Sequence, residues 1–266
     1  LCCKIASMTL FQSILIAVVE GLTEFLPISS TGHMILASTA MGIHEEEFVK
    51  TFEVFIQLGA ILAIALMYIK RFFRNLTIYF KLITAFLPTA VVGLLAYDYI
   101  KAYLFNPIVV SVSLILGGII LIFIDKKVAA QGSTVVEVED ISYKNAFFIG
   151  LCQCLSMVPG TSRAAATIIG GVFNGLDKKQ ATEFSFLLAV PTMLAAGGYD
   201  LLKTDLAFTS EQLLLLGVGF VVAFASAWGA VKLFLTYVST HGFTSFGWYR
   251  IALGVLFLIL MWGADL

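Results

Sequence analysis

The chain has 266 residues, of which 60% are hydrophobic and 12% charged, and its net charge is −1. Soluble domains carry roughly 45–50% apolar and about 25% charged residues, so an ordinary soluble domain is excluded. The near-neutral balance argues against a nucleic-acid partner, which needs a basic face.

In chain order, residues 8–25 read as an apolar helix that breaks at Pro27, and residues 30–41 as a second, hydroxyl-rich helix. Spans follow at 48–69, 78–97 and 107–124, each near the about 20 residues that cross a bilayer. A polar loop at 125–142, with Gly132, Ser133 and the acidic Glu137-Val138-Glu139-Asp140 run, joins the two halves. Residues 143–157 and 162–173 form a second broken pair, and the last spans are 179–203, 211–238 and 246–265. Residues 8–19 run into a polar segment where a small-residue cleavage site would stand, so no cleavable signal peptide is expected. Cys2, Cys3, Cys152 and Cys154 show no metal-ligand spacing.

The two broken pairs carry related motifs. Glu20-Gly-Leu-Thr-Glu24-Phe-Leu-Pro27-Ile-Ser29-Ser30-Thr31-Gly-His33 and Cys152-Gln-Cys-Leu-Ser156-Met-Val-Pro159-Gly160-Thr161-Ser162-Arg163 align without a gap at an offset of 132, which pairs Pro27 with Pro159, Ser30 with Ser162 and Phe52 with Phe184. Each pair is too short and too polar for two ordinary kinked spans, the competing reading. Irregular backbone at membrane depth survives only inside protein or beside a wet cavity, which points to re-entrant hairpins. The expected fold is therefore an all-α polytopic membrane protein, one integral domain over residues 1–266. It has six transmembrane helices plus two re-entrant helix hairpins, its halves at about 8–125 and 143–266 forming an inverted-topology repeat. Eleven of the sixteen Lys and Arg residues, Lys70, Arg71 and Arg250 among them, fall at one set of span ends. Lys4, Lys50, Lys101 and Lys203 fall at the other, and Arg163 lies inside. This bias puts the central loop in the cytoplasm and both termini outside.

Charged and polar side chains inside membrane segments mark function. The helix starts at Ser29-Ser30-Thr31 and Thr161-Ser162-Arg163 offer free N–H groups suited to phosphate, and Arg163 adds a planar fork of donors. Two such starts facing each other make a site of diphosphate size. Glu20 and Glu24, four apart, share a helix face and need protons, Arg163 or a divalent cation; Mg²⁺ takes one or two carboxylates plus substrate phosphates. His33 follows Ser30 by three and Ser29 by four, on the serine face, the arrangement of a histidine-activated hydroxyl.

These motifs resemble the bacterial undecaprenyl-diphosphate phosphatase family, also known from bacitracin resistance. Residues 51–59, Phe105-Asn106-Pro107, Thr167 and residues 183–191 match further family segments, so the resemblance spans nearly the whole chain. It departs at Ala164, where the family usually has serine. The resemblance implies removal of the terminal phosphate of undecaprenyl diphosphate, a polyprenyl lipid, in the bacterial cytoplasmic (inner) membrane, with the site facing the outer side and a divalent cation, Mg²⁺ or Ca²⁺, bound by Glu20 and Glu24. It also implies Ser30 as nucleophile or phosphate ligand, His33 as base and then acid, and Arg163 as diphosphate clamp, helped by Ser162, Thr167, Ser29 and Thr31. A polyprenyl-phosphate transporter or flippase is the runner-up, since inverted repeats support alternating access. A homodimer is left open.

Overall fold

The computed structural model describes residues 8–74, 76–103, 107–131, 138–203 and 207–263. Their regular structure is entirely helical: α1 (Leu10–Thr23), α2 (Ser30–Ala40), α3 (Glu47–Met67), α4 (Ile69–Arg74), α5 (Leu76–Tyr103), α6 (Pro107–Gln131), α7 (Tyr143–Cys154), α8 (Arg163–Phe173), α9 (Lys178–Lys203), α10 (Ser210–His241) and α11 (Thr244–Gly263), with short 3-10 turns at Val138–Asp140 and Leu155–Met157. Six are long and apolar enough to cross a membrane, namely α3, α5, α6, α9, α10 and α11. Large apolar side chains such as Leu95, Phe123 and Leu233 point outward, where a soluble protein would put charge. The chain is an all-α, multi-pass membrane protein.

Local chemistry starts the helices where the sequence supplies a cap. Thr9 and Thr209 each accept from the N–H three residues on, and Gln12 and Gln212 reach back to the cap N–H. This reciprocal pair satisfies two orphan donors at each helix start. Helix α11 is capped from elsewhere: Asp125 of α6 accepts from the Thr244 N–H (3.1 Å) and hydroxyl (2.6 Å) and pairs with Lys178 at the start of α9. At the same end of α9, Arg71 bridges Glu183 (2.9 Å) and Glu139 (3.9 Å), and Lys81 donates to the Glu139 carbonyl. These contacts tie α4 and the end of α6 to the starts of α5, α9 and α11.

The packing is reciprocal. Helix α1 lies along α10 and α7 along α5; α3 meets both α9 and α10, α9 also meets α5, and α6 pairs with α11. The main core draws on both halves, from Phe25, Ile61 and Leu82 to Phe184, Phe186, Phe234 and Phe243. One expectation is corrected. The linker does not begin at Asp125, because α6 continues to Gln131, and Glu139 and Asp140 sit in a 3-10 turn. Gly132, Ser133, Glu137, Phe105, Asn106, Cys2, Cys3 and Lys4 lie outside the described residues.

Helices α3 and α10 touch through Gly59, where a Cβ would run into the Phe220 carbonyl. Gly59→Ala should lower stability in detergent by about 1–3 kcal/mol, as overpacking does. Gly217 on α10 faces open space, so Gly217→Ala should stay within about 1 kcal/mol of the parent. Equal thermal midpoints for the two variants would contradict the α3–α10 contact.

Candidate active site

The two breaks have the same backbone form. Ser29 and Ser162, the residues before α2 and α8, both have φ of 70°, a left-handed conformation that few non-glycine residues adopt. This shape pairs Ser29 with Ser162, and Ser30 with Arg163. The ungapped offset, which pairs Ser30 with Ser162, is thus displaced by one residue at the breaks. The physical cause is the longer second turn, in which Gly160 and Thr161 separate Pro159 from the cap where Ile28 alone follows Pro27. Ser162 accepts from the Ala165 N–H (3.2 Å), while Ser29 makes no side-chain cap. The candidate nucleophile and the candidate phosphate clamp therefore take equivalent first positions on two half-helices.

Glu24 joins them. Its Oε1 accepts from Arg163 Nη2 at 3.0 Å, and the Ser30 hydroxyl donates to its Oε2. One carboxylate thus bridges the residues that start α2 and α8. Arg163 is fixed from behind. Its Nη1 donates to the Ser185 carbonyl at 3.1 Å, its Cζ lies 5.6 Å from the centre of the Phe25 ring, and Thr167 donates to the Ser185 hydroxyl at 2.7 Å. Both Glu20 carboxylate oxygens are buried without a hydrogen-bond partner, within electrostatic reach of Glu24, Glu53 and Arg163. An ionised carboxylate in that position needs a cation close by. Among the described residues no three His, Cys, Asp or Glu side chains form a metal cage. Glu20 with Glu24 is the pair of carboxylates that would serve a cation here, one that keeps waters and takes substrate oxygens.

Three expectations change. His33 is not bonded to Ser30: its Nδ1 lies 2.8 Å from the Ser29 carbonyl and its Nε2 2.7 Å from the Tyr249 hydroxyl, with the two rings parallel. A carbonyl can only accept, so Nδ1 carries the proton and the neutral ring takes the tyrosine hydrogen at Nε2. The shared helix face brought His33 near Ser30, but a carboxylate outcompeted it for the hydroxyl. The Thr167 hydroxyl is taken up by Ser185 and its own helix carbonyls, which places it in support of Arg163. Arg250 is not at a basic end of the fold. It is fully buried, about 9 Å into α11 from Thr244 at 1.5 Å per residue. Thr31 is half-buried on the first turn of α2, and Ala164 is fully buried.

The family model for bacitracin resistance protein BacA matches residues 13–256. The chain belongs to the BacA family. Among its relatives, a protein of Wolinella succinogenes named undecaprenyl-diphosphatase is 50% identical over 254 residues, covering 96% of this chain and 99% of that protein. Proteins of the same name from Bdellovibrio bacteriovorus and Aquifex aeolicus are 48% and 46% identical, covering 97% and 94% of this chain and 99% and 98% of their own lengths. The BacA match runs through both breaks and five of the spanning helices and ends within α11.

Sequence reasoning passed over Ser185, Tyr249 and Arg250. Ser185 stood inside a recognised segment without a charge to draw notice. Arg250 was misplaced because a span begun at 246 puts it in the first turn, where basic residues are ordinary. For Glu24 and Arg163, Glu24→Gln and Arg163→Gln should each cost about 3–5 kcal/mol of stability in detergent unfolding, as breaking a buried pair does. The double variant should lose clearly less than the sum. Additive losses would show that the two side chains do not interact.

Proposed function

We propose that this BacA-family chain hydrolyses undecaprenyl diphosphate to undecaprenyl phosphate and inorganic phosphate in the bacterial cytoplasmic membrane. The reading rests on the chain Ser30–Glu24–Arg163, which joins a hydroxyl, a proton acceptor and an oxyanion-binding fork across the two breaks. The names of relatives 46–50% identical over nearly their whole length support the same substrate.

The terminal phosphate takes the place between the starts of α2 and α8. Arg163 and the free N–H groups there neutralise the charge on its oxygens, the main requirement for phosphoryl transfer. Ser30 Oγ gives its proton to Glu24 and bonds to the terminal phosphorus as the bond from phosphorus to the bridging oxygen breaks. Undecaprenyl phosphate leaves with that oxygen. Water then cleaves the seryl phosphate, returning Ser30 and releasing inorganic phosphate. His33, held by Ser29 and Tyr249 one turn from Ser30, is the second acid–base group. Glu20 and Glu24 would hold a divalent cation, Mg²⁺ or Ca²⁺, which when bound adds positive charge against the phosphate oxygens.

The placement in the membrane belongs to the same proposal. The reciprocal packing supports an inverted repeat, each half of three spans and one re-entrant pair. The shared core supports a single domain. Lys70, Arg71, Lys81 and Lys178 gather at one end of the bundle, which supports a cytoplasmic position for that end and an outward-facing site. Among the described residues no contact favours the transporter reading.

Detergent-solubilised protein should release phosphate from undecaprenyl diphosphate, and a chelator should stop it. Transport breaks no bond and releases no phosphate, and it cannot be seen without two compartments. Ser30→Ala and Glu24→Gln should each lower the rate by about 10²–10⁴, the usual weight of a nucleophile or base. Absence of release from the wild type sinks the reading. Full turnover by Ser30→Ala, or no phosphoserine on rapid quenching, would mean that water attacks directly.

A further inference from the structure

Among the described residues Arg250 is the largest fully buried side chain, and no carboxylate there forms an ion pair with it. Its five N–H groups all go to backbone carbonyls. Nη1 donates to Pro27 (3.0 Å) and Thr161 (2.9 Å), Nη2 to Gly160 (2.9 Å) and Ser113 (3.1 Å), and Nε to Leu114 (3.3 Å). Pro27 belongs to the first break, Gly160 and Thr161 to the second, and Ser113 and Leu114 to α6. Nη1 by itself spans the two breaks. We propose that Arg250 is a positioning residue that sets the separation and tilt of the two half-helix starts, and hence of Ser30 against Arg163; this rests on the phosphatase reading above.

The geometry explains why the residue is arginine. A chain that unwinds at membrane depth exposes carbonyls that lipid cannot satisfy. Three of the acceptors are turn carbonyls of this kind, and they come from segments far apart in sequence. A planar fork with five donors reaches them all in one rigid geometry, whereas an ammonium has three donors on a compact point. The guanidinium makes no hydrogen bond to the Ser30 hydroxyl or the Arg163 fork, so it reaches those two groups through the backbone it holds.

Helix α6 is shaped to admit it. A Cβ at Gly117 would overlap Arg250 Nη2 and lie 2.7 Å from Cζ. Gly117→Ala therefore moves the guanidinium without altering any residue assigned to the chemistry. Arg250→Lys keeps the charge and loses the fork. Tyr249, the preceding residue of α11, bonds to His33, so one helix braces the α2 side of the site at two points.

The test uses purified full-length protein in detergent with undecaprenyl diphosphate. For Arg250→Lys and Gly117→Ala, kcat per folded molecule should fall about tenfold to a hundredfold, the scale of an ångström-sized misplacement. KM should stay within about threefold, because the groups that contact substrate remain. Hydrogen exchange should quicken together in peptides covering both breaks and stay unchanged in α3. A residue that only stabilised the fold would reduce the folded fraction and leave kcat per folded molecule intact. A kcat within about twofold of wild type in either folded variant overturns the proposal, as does unchanged exchange at the breaks. If Arg250→Lys does not fold, Gly117→Ala decides. If the wild type releases no phosphate, the phosphatase reading falls, and hydrogen exchange alone decides the role of Arg250.

Discussion

Backbone carbonyls that leave a helix inside a membrane must find donors, and the rest of this structure depends on how that demand is met. Pro27 and the Pro159–Ser162 turn end helices without starting the next one at once. Their carbonyls would otherwise be buried without donors, at a cost of about 1–3 kcal/mol each. A single buried guanidinium on the last helix satisfies three of them and two more on α6. The breaks can then stay open, with helix N-termini free to face an anion. Stabilising the fold and exposing the reactive groups are thus one problem with one solution.

The two halves share a frame and divide the chemistry. The positive φ at Ser29 and Ser162 gives each half-helix the same start. At that start one half puts a serine and the other an arginine, and Glu24 from α1 couples them. Ser185 and Thr167 then hold Arg163 from the second half, while Tyr249 holds His33 from the last helix. The anion site proposed here, assembled from both halves, needs each to remain in register. The reciprocal pairs α1 with α10 and α7 with α5 provide this by packing each break's leading helix on a span of the opposite half.

The strained serine and the unpartnered Glu20 fit the same picture. Non-glycine residues in the left-handed region cost free energy that the surrounding structure must supply. A buried carboxylate without hydrogen bonds costs more unless a cation accompanies it. Ser29 directly precedes the hydroxyl that the phosphatase reading makes reactive, and Glu20 lies within electrostatic reach of the Glu24 that accepts from it.

Much was legible in the sequence. Apolar run lengths gave the six crossing helices, because hydropathy is a local property that the bilayer enforces directly. The polar motifs inside apolar segments marked Glu20, Glu24, Ser30, His33 and Arg163 as candidates, because such residues are costly there. What the sequence could not set was which polar group meets which. Spacing put His33 on the Ser30 face, but Glu24 holds the hydroxyl and Tyr249, 216 residues away from His33 in sequence, holds the ring. Arg250 read as one more basic end, since its five acceptors come from three segments that only the packing of α6 and α11 brings around it. Local hydrophobicity and residue type fix depth and candidate chemistry. Hydrogen-bond partnership across distant segments is a tertiary property, and the three-dimensional structure alone decided it.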